Sequence, residues 1–104
     1  MSVVIKPQYE QHKQLCDGLN DLYIRKNMAY GDSFHDTFVD LGIISAVTQI
    51  AHKYNRLKTL ALDMDKGELD DNGESIVDTL RDMANYCLLT VMEIENAQKG
   101  EKTC

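Results

Sequence analysis

A chain of 104 residues carrying a net charge of −6 and a single proline forms one small domain with a modest core, and self-association is an expected source of added stability. The acidic balance argues against non-specific binding to DNA or to an anionic membrane, since both need a basic surface. The apolar run Val3 to Ile5 is too short for a signal peptide or a membrane span, so the chain reads as cytoplasmic.

In chain order, the first predicted helix covers Gln8 to Asn27 and sets Leu15, Leu19, Leu22 and Tyr23 on one stripe. Pro7 suits the first turn, where its missing N–H costs nothing. Tyr30-Gly31 ends this element, with Gly31 fit for a left-handed cap. Asp32 or Ser33 can then cap a short helix, Phe34 to Leu41. Gly42 breaks the chain, and Ile43, Val47, Ile50, Tyr54, Leu57 and Ala61 repeat at helical spacing to about Leu62. Asp63 to Gly73 reads as an acidic loop. Glu74 opens the last helix, whose expected core stripe is Ile76, Leu80, Met83, Ala84, Cys87, Val91 and Ile94. Residues 1–97 therefore form a single helical domain and 98–104 a polar tail. No alternating run supports a strand, and the expected fold is all-α: a small bundle of three long helices and a short one, oligomeric.

The charge is unevenly spread. From Asp63 to Asp82 there are eight acids and two bases, a balance of −6, while the remaining nine acids and nine bases cancel. Asp63, Asp65, Gly67, Leu69, Asp71 and Glu74 match the spacing of an EF-hand loop, but Glu68 stands where that loop needs glycine and Asp70 where it carries an aliphatic residue, so a plain acidic loop is expected. Cys16, Cys87 and Cys104 are three in number and far apart, which argues against a disulfide framework and against a structural zinc site. Cys16 and Cys87 fall on or beside apolar faces and are expected to be buried, inert thiols. His12, His35 and His52 lack companions at metal-ligand spacing and read as surface or turn histidines.

Three constellations could carry chemistry. Glu74, Asp78, Asp82 and Asn85 fall within about 80° of arc on the last helix. Carboxylates so placed repel unless a cation intervenes. Leu89 and Met92 continue that line, which suggests that this face packs on another helix or subunit rather than facing water. On the middle helix, Gln49, Lys53, Arg56 and Leu60 share a flank; Lys53 and Arg56 suit a phosphate, or Arg56 pairs with Asp78 or Asp82. Lys26, Asn27, Tyr30 and Ser33 surround the glycine turn, either as ligand groups or as a plain helix junction. The phosphate-loop pattern G-x-x-x-x-G-K-[ST] is absent, as is G-x-G-x-x-G.

Lys26-Asn27-x-x-Tyr30-Gly31-x-Ser33-Phe34, followed by Lys53-x-x-Arg56-Leu57 and by Glu74-Ser75-x-x-Asp78-Thr79-Leu80-x-Asp82-x-Ala84-Asn85-Tyr86, resembles the phage-associated nucleotide modification associated domain family. The resemblance spans roughly Leu22 to Glu95 and implies a helical protein linked to nucleotide chemistry. The last helix is more distantly similar to the MazG-like nucleotide pyrophosphohydrolases, where carboxylates hold magnesium that bridges the triphosphate and activates water. Here Glu74 and Asp78 are four apart where that family has an E-x-x-D pair, and the earlier helix offers Gln49, His52, Lys53 and Arg56 in place of acids.

These readings combine into a nucleotide-binding protein in which Lys26, Lys53 and Arg56 face phosphates and Asn27, Tyr30, Asp82, Asn85 and Tyr86 meet base or ribose, with Ser33 beside them. Binding needs no cofactor. A homo-oligomer with sites near subunit contacts is expected. The enzymatic alternative is a magnesium-dependent pyrophosphohydrolase with Glu74, Asp78 and Asp82 as metal ligands. The third is a protein-interaction module docking through Leu89 and Met92 without a small-molecule ligand.

Overall fold

A computed structural model describes residues 4–68 and 71–102. Among them lie four helices and no strand: α1 (Pro7–Tyr30), α2 (Ser33–Leu41), α3 (Ile43–Asp65) and α4 (Glu74–Lys102). The all-α expectation holds. The start at Met1 to Val3, the loop residues Leu69 and Asp70 within the EF-hand spacing, and Cys104 in the tail lie outside the described residues.

Glycine sets the boundaries. Gly31 has φ 73° and its N–H donates to the Asn27 carbonyl at 2.7 Å. Gly42 has φ 77° and donates likewise to Phe38 at 2.8 Å. Both positions demand a left-handed backbone that a side chain resists. α1 therefore continues to Tyr30, three residues past the expected Asn27. α3 continues to Asp65, and α4 through residues 98–102, which the sequence reading gives to the tail. Pro7 sits in the first turn of α1, as expected.

The chain divides between Gly31 and Asp32 into two compact units. The first is essentially α1. Leu19, Leu22 and Tyr23 are half-buried, Leu15 is exposed, and no α1 residue is buried. Asn27 Nδ2 donates to the Gly31 carbonyl at 3.5 Å, tying the last turn to the glycine cap.

The second unit holds α2, α3 and α4. Lys53 reaches Asp82, and Met64 lies where a Cβ at Gly73 would meet it at 3.6 Å. α4 therefore runs back antiparallel along α3. Its start is fixed by Asp71, whose carboxylate accepts from the Gly73 N–H at 3.2 Å, the Ser75 N–H at 3.1 Å and the Ser75 hydroxyl. These bonds occupy backbone donors that the first turn leaves without helical partners. They hold the Asp71 carboxyl below its ordinary pKa, the Ser75 hydroxyl contributing most.

The inward faces of α3 and α4 meet at Ala46, 1% exposed, and Thr79, 2% exposed. Around them lie Ile50, Lys53, Leu57 and Leu60 on α3, and Asp82, Met83, Tyr86 and Thr90 on α4, all half-buried. This overturns the expected core stripe of α4. Ile76, Met83 and Ala84 are half-buried, but Leu80, Cys87, Val91 and Ile94 are exposed. The turn of the helix gives the reason: Thr79, Asp82, Tyr86 and Glu93 share the arc that faces α3 and α2, and the apolar stripe lies beside it. The buried-thiol expectation fails with it. Cys87 is exposed on that stripe, and Cys16 is exposed on α1.

Candidate functional site

Because α3 and α4 run in opposite directions, residues displaced in the same rotational sense from Ala46 and Thr79 fall on the same side of the pair. One side collects polar groups: Gln49, Lys53 and Arg56 from α3, and Asp78, Asp82 and Asn85 from α4. At its centre Lys53 Nζ lies 3.1 Å from Asp82 Oδ2, with the two side chains only 27% and 21% exposed. Asn85 is half-buried, while Asp78, Glu74 and Arg56 are exposed. The basic flank of α3 does meet the acids of α4, and Lys53 pairs with Asp82 there. Lys53 lies about 20° round the helix from Ala46 and Arg56 about 80°, so the flexible lysine stem runs along the helix contact while Arg56 stays at the rim.

α2 closes the Tyr86–Glu93 end of this side. Phe34 stacks on Tyr86 with ring centroids 5.9 Å apart and planes 20° from parallel. One residue on, His35 Nδ1 donates to the Glu93 carboxylate at 2.8 Å. Glu93 raises the His35 pKa above its ordinary value near 6.5, first through the hydrogen bond and then through its charge, with Asp36 and Asp32 adding smaller pushes in the same direction. Below the Lys53–Asp82 pair, Thr79 is buried and donates its hydroxyl to the Ser75 carbonyl at 2.8 Å. The wall is thus polar in the middle, aromatic at one end, and backed by a satisfied hydroxyl.

Lys53, Asp82, Asn85 and Tyr86 are therefore brought to one wall within the second unit, with Arg56 and Asp78 at its rim and Ser33 opening the helix that carries Phe34. Lys26, Asn27 and Tyr30 belong to the last turns of α1, in the first unit, where Lys26 and Tyr30 are exposed and Asn27 is half-buried. Among the described residues no three His, Cys, Asp or Glu side chains gather as they would to hold a metal ion, so Glu74, Asp78 and Asp82 form no three-carboxylate cage in one chain. Leu89 is half-buried inside the second unit, and Met92 is exposed.

Three features escaped the sequence reading. Phe34 sits inside the glycine-turn motif, and its stacking on Tyr86, 52 positions further along the chain, leaves no local signal. Glu93 continues the inward line of Asp82, Tyr86 and Leu89 at helical spacing, a signal present in the sequence. His35, read as a surface or turn histidine, is indeed exposed but ties α2 to α4.

The model of the family described as nucleotide modification associated domain 1 matches residues 26–94, well over half of the chain. The chain belongs to this family. The matched segment of the nucleotide modification associated domain takes in the end of α1, all of α2 and α3, and α4 as far as Ile94, and so contains the whole polar wall and its aromatic end. No curated protein and no solved structure matches the chain. No helix among the described residues is long and apolar enough to cross a membrane.

Proposed function

We propose that this member of the nucleotide modification associated domain family binds a nucleotide at the polar wall of α3 and α4. One observation carries the reading. The chain turns Lys53, Asp82, Asn85 and Thr79 toward its helix contact while leaving apolar residues of the same helices outside. Folding alone favours the opposite choice, since a part-buried ion pair returns little or no net stability. A ligand that uses the pair supplies a reason for keeping it.

In this reading Lys53 and Arg56 contact phosphate oxygens, Arg56 from the open rim and Lys53 after release from Asp82. Asp82 and Asn85 accept and donate to base or ribose, and Tyr86, already stacked on Phe34, offers the edge of an aromatic pair. Ser33, at the start of α2 in the same unit, is a further contact. Binding without a complete carboxylate cage favours holding a nucleotide over cleaving it. In a phage, such a protein would serve to sequester a nucleotide signal of host defence. Isothermal titration against a panel of linear and cyclic nucleotides tests the proposal, with Arg56→Ala expected to weaken binding at least tenfold; no heat of binding with any member overturns it. Incubating each bound nucleotide with magnesium separates the hydrolase alternative, which requires pyrophosphate release that Asp78→Asn abolishes. A pure interaction module would bind no nucleotide and ignore Arg56→Ala.

A further inference from the structure

Consecutive residues of α2 hold it to α4. Phe34 stacks on Tyr86, and His35 places Nδ1 2.8 Å from the Glu93 carboxylate. Tyr86 and Glu93 are two turns apart on α4 and so share one face of it. A movement of α2 that separates one contact therefore separates the other. Few buried groups fix this helix. Its nine residues are too few to hold helical form alone in water, and none of them is buried; Phe34 and Phe38 are half-buried. Gly31 and Gly42 flank it at φ 73° and 77°, and glycine lets the chain turn at such points with little steric resistance.

Of the two contacts, the one at His35 answers to pH, since imidazole changes its charge near neutrality. Within the second unit the groups acting on it are Glu93, from α4, and Asp36 and Asp32, beside it in sequence; all three favour its charged form. Tyr86, under Phe34, is the other titratable group at this end. The positions one turn either side of Glu93, which are Leu89, Thr90, Asn96 and Ala97, carry no charge, and α3 carries none from Ile43 to Gln49. The Lys53–Asp82 pair lies about 16 Å away along α4.

We infer that α2 is a proton-sensitive latch: charged His35 closes it on Glu93, and neutral His35 lets it swing from α4, taking Phe34 off the Tyr86 ring. A neutral imidazole still donates from Nδ1, but without the charge the bond is about half as strong, so the latch loosens rather than vanishes. The open fraction then rises about five- to tenfold between pH 5.5 and pH 8. Opening uncovers the aromatic end of the polar wall. The latch is a property of the chain alone and stands whether or not a nucleotide binds.

Amide hydrogen exchange of the whole chain at pH 5.5 and pH 8, each rate corrected for its intrinsic pH dependence, tests the inference. The amides from Asp36 to Leu41 are expected to be at least about tenfold less protected than those around Thr79, which marks an opening of α2 by itself. Their protection falls about five- to tenfold at pH 8. In His35→Gln, and likewise in Glu93→Gln, it is low at both pH values, with circular dichroism checking that each variant keeps its helices. Should both variants unfold, the unaltered chain decides through its α2 protection at the two pH values. An α2 as protected as the Thr79 region, which pinning by the rest of the fold gives, overturns the latch. So does α2 protection that ignores pH, or a pH dependence that survives both substitutions.

Discussion

Replacing Lys53 by methionine removes the ammonium while keeping most of the stem that lies along the helix contact. Asp82, 21% exposed and 3.1 Å from Lys53 Nζ, is left without that cation. Losing one partner of an exposed pair costs about 0–1 kcal/mol, and of a fully buried pair about 3–5 kcal/mol. With both side chains about three-quarters covered, solvent still screens the pair, and the expected loss is about 1–2 kcal/mol. For a chain of this size each kcal/mol moves the thermal midpoint by about 4–8 °C, so Lys53→Met lowers it by about 5–15 °C. The reasoning makes a second, sharper claim about the double variant Lys53→Met, Asp82→Leu. With both charges gone no carboxylate remains that has lost its cation, and stability returns to within about 1 kcal/mol of the unaltered chain or exceeds it. Nucleotide binding stays lost in both variants. Circular dichroism melts at one fixed protein concentration, paired with titration calorimetry, read the two quantities separately. A double variant less stable than Lys53→Met alone means that the pair is a structural necessity, and the case for a ligand loses its main support.

Three further outcomes follow from other contacts. The His35 pKa is raised in the folded chain by Glu93, so the stability it contributes is fully present below about pH 6.5 and is lost as pH rises through the raised value; urea midpoints at pH 5.5 and 8.5 should differ in that direction, and His35→Gln should remove that part of the difference. Asp71 has a lowered pKa, so Asp71→Ala is expected to lower the melting midpoint at neutral pH, with the deficit shrinking as pH falls below the ordinary carboxylate range and through the lowered one. Gly42 holds φ 77° and ψ −168°, a region nearly confined to glycine, with open space where a Cβ would stand, so Gly42→Ala meets no clash and costs only its backbone strain, about 1–3 kcal/mol by denaturant titration; a neutral effect would mean that the α2–α3 junction relaxes to another turn.

The helices were legible because their signals are local. Pro7, Gly31, Gly42 and Gly73 mark the boundaries, and the apolar spacing between them has a helical period. The ends drifted where no breaker stands: Asp63 and Asp65 read as loop because they are acidic, yet neither residue stops a helix, and α3 runs to Asp65. The polar wall was legible as a line on α4 and a flank on α3. Its pairing was not. Lys53 and Arg56 both fit Asp82 by sequence, and it is the rotation of α3 against α4 that sets Lys53 beside it.

The least legible feature was which face of α4 turns inward, and the reason is physical. Periodicity identifies residues that leave water, but it does not say whether they do so within one chain or between two. The stripe Leu80, Cys87, Val91 and Ile94 carries the signature of a core and is exposed, whereas Thr79 is buried and Asp82 and Tyr86 are half-buried. The apolar period of α4 therefore marks one face, and the contact with α3 selects another: the inward side holds an ion pair and a stacked tyrosine, polar burial that a count of apolar spacings does not register.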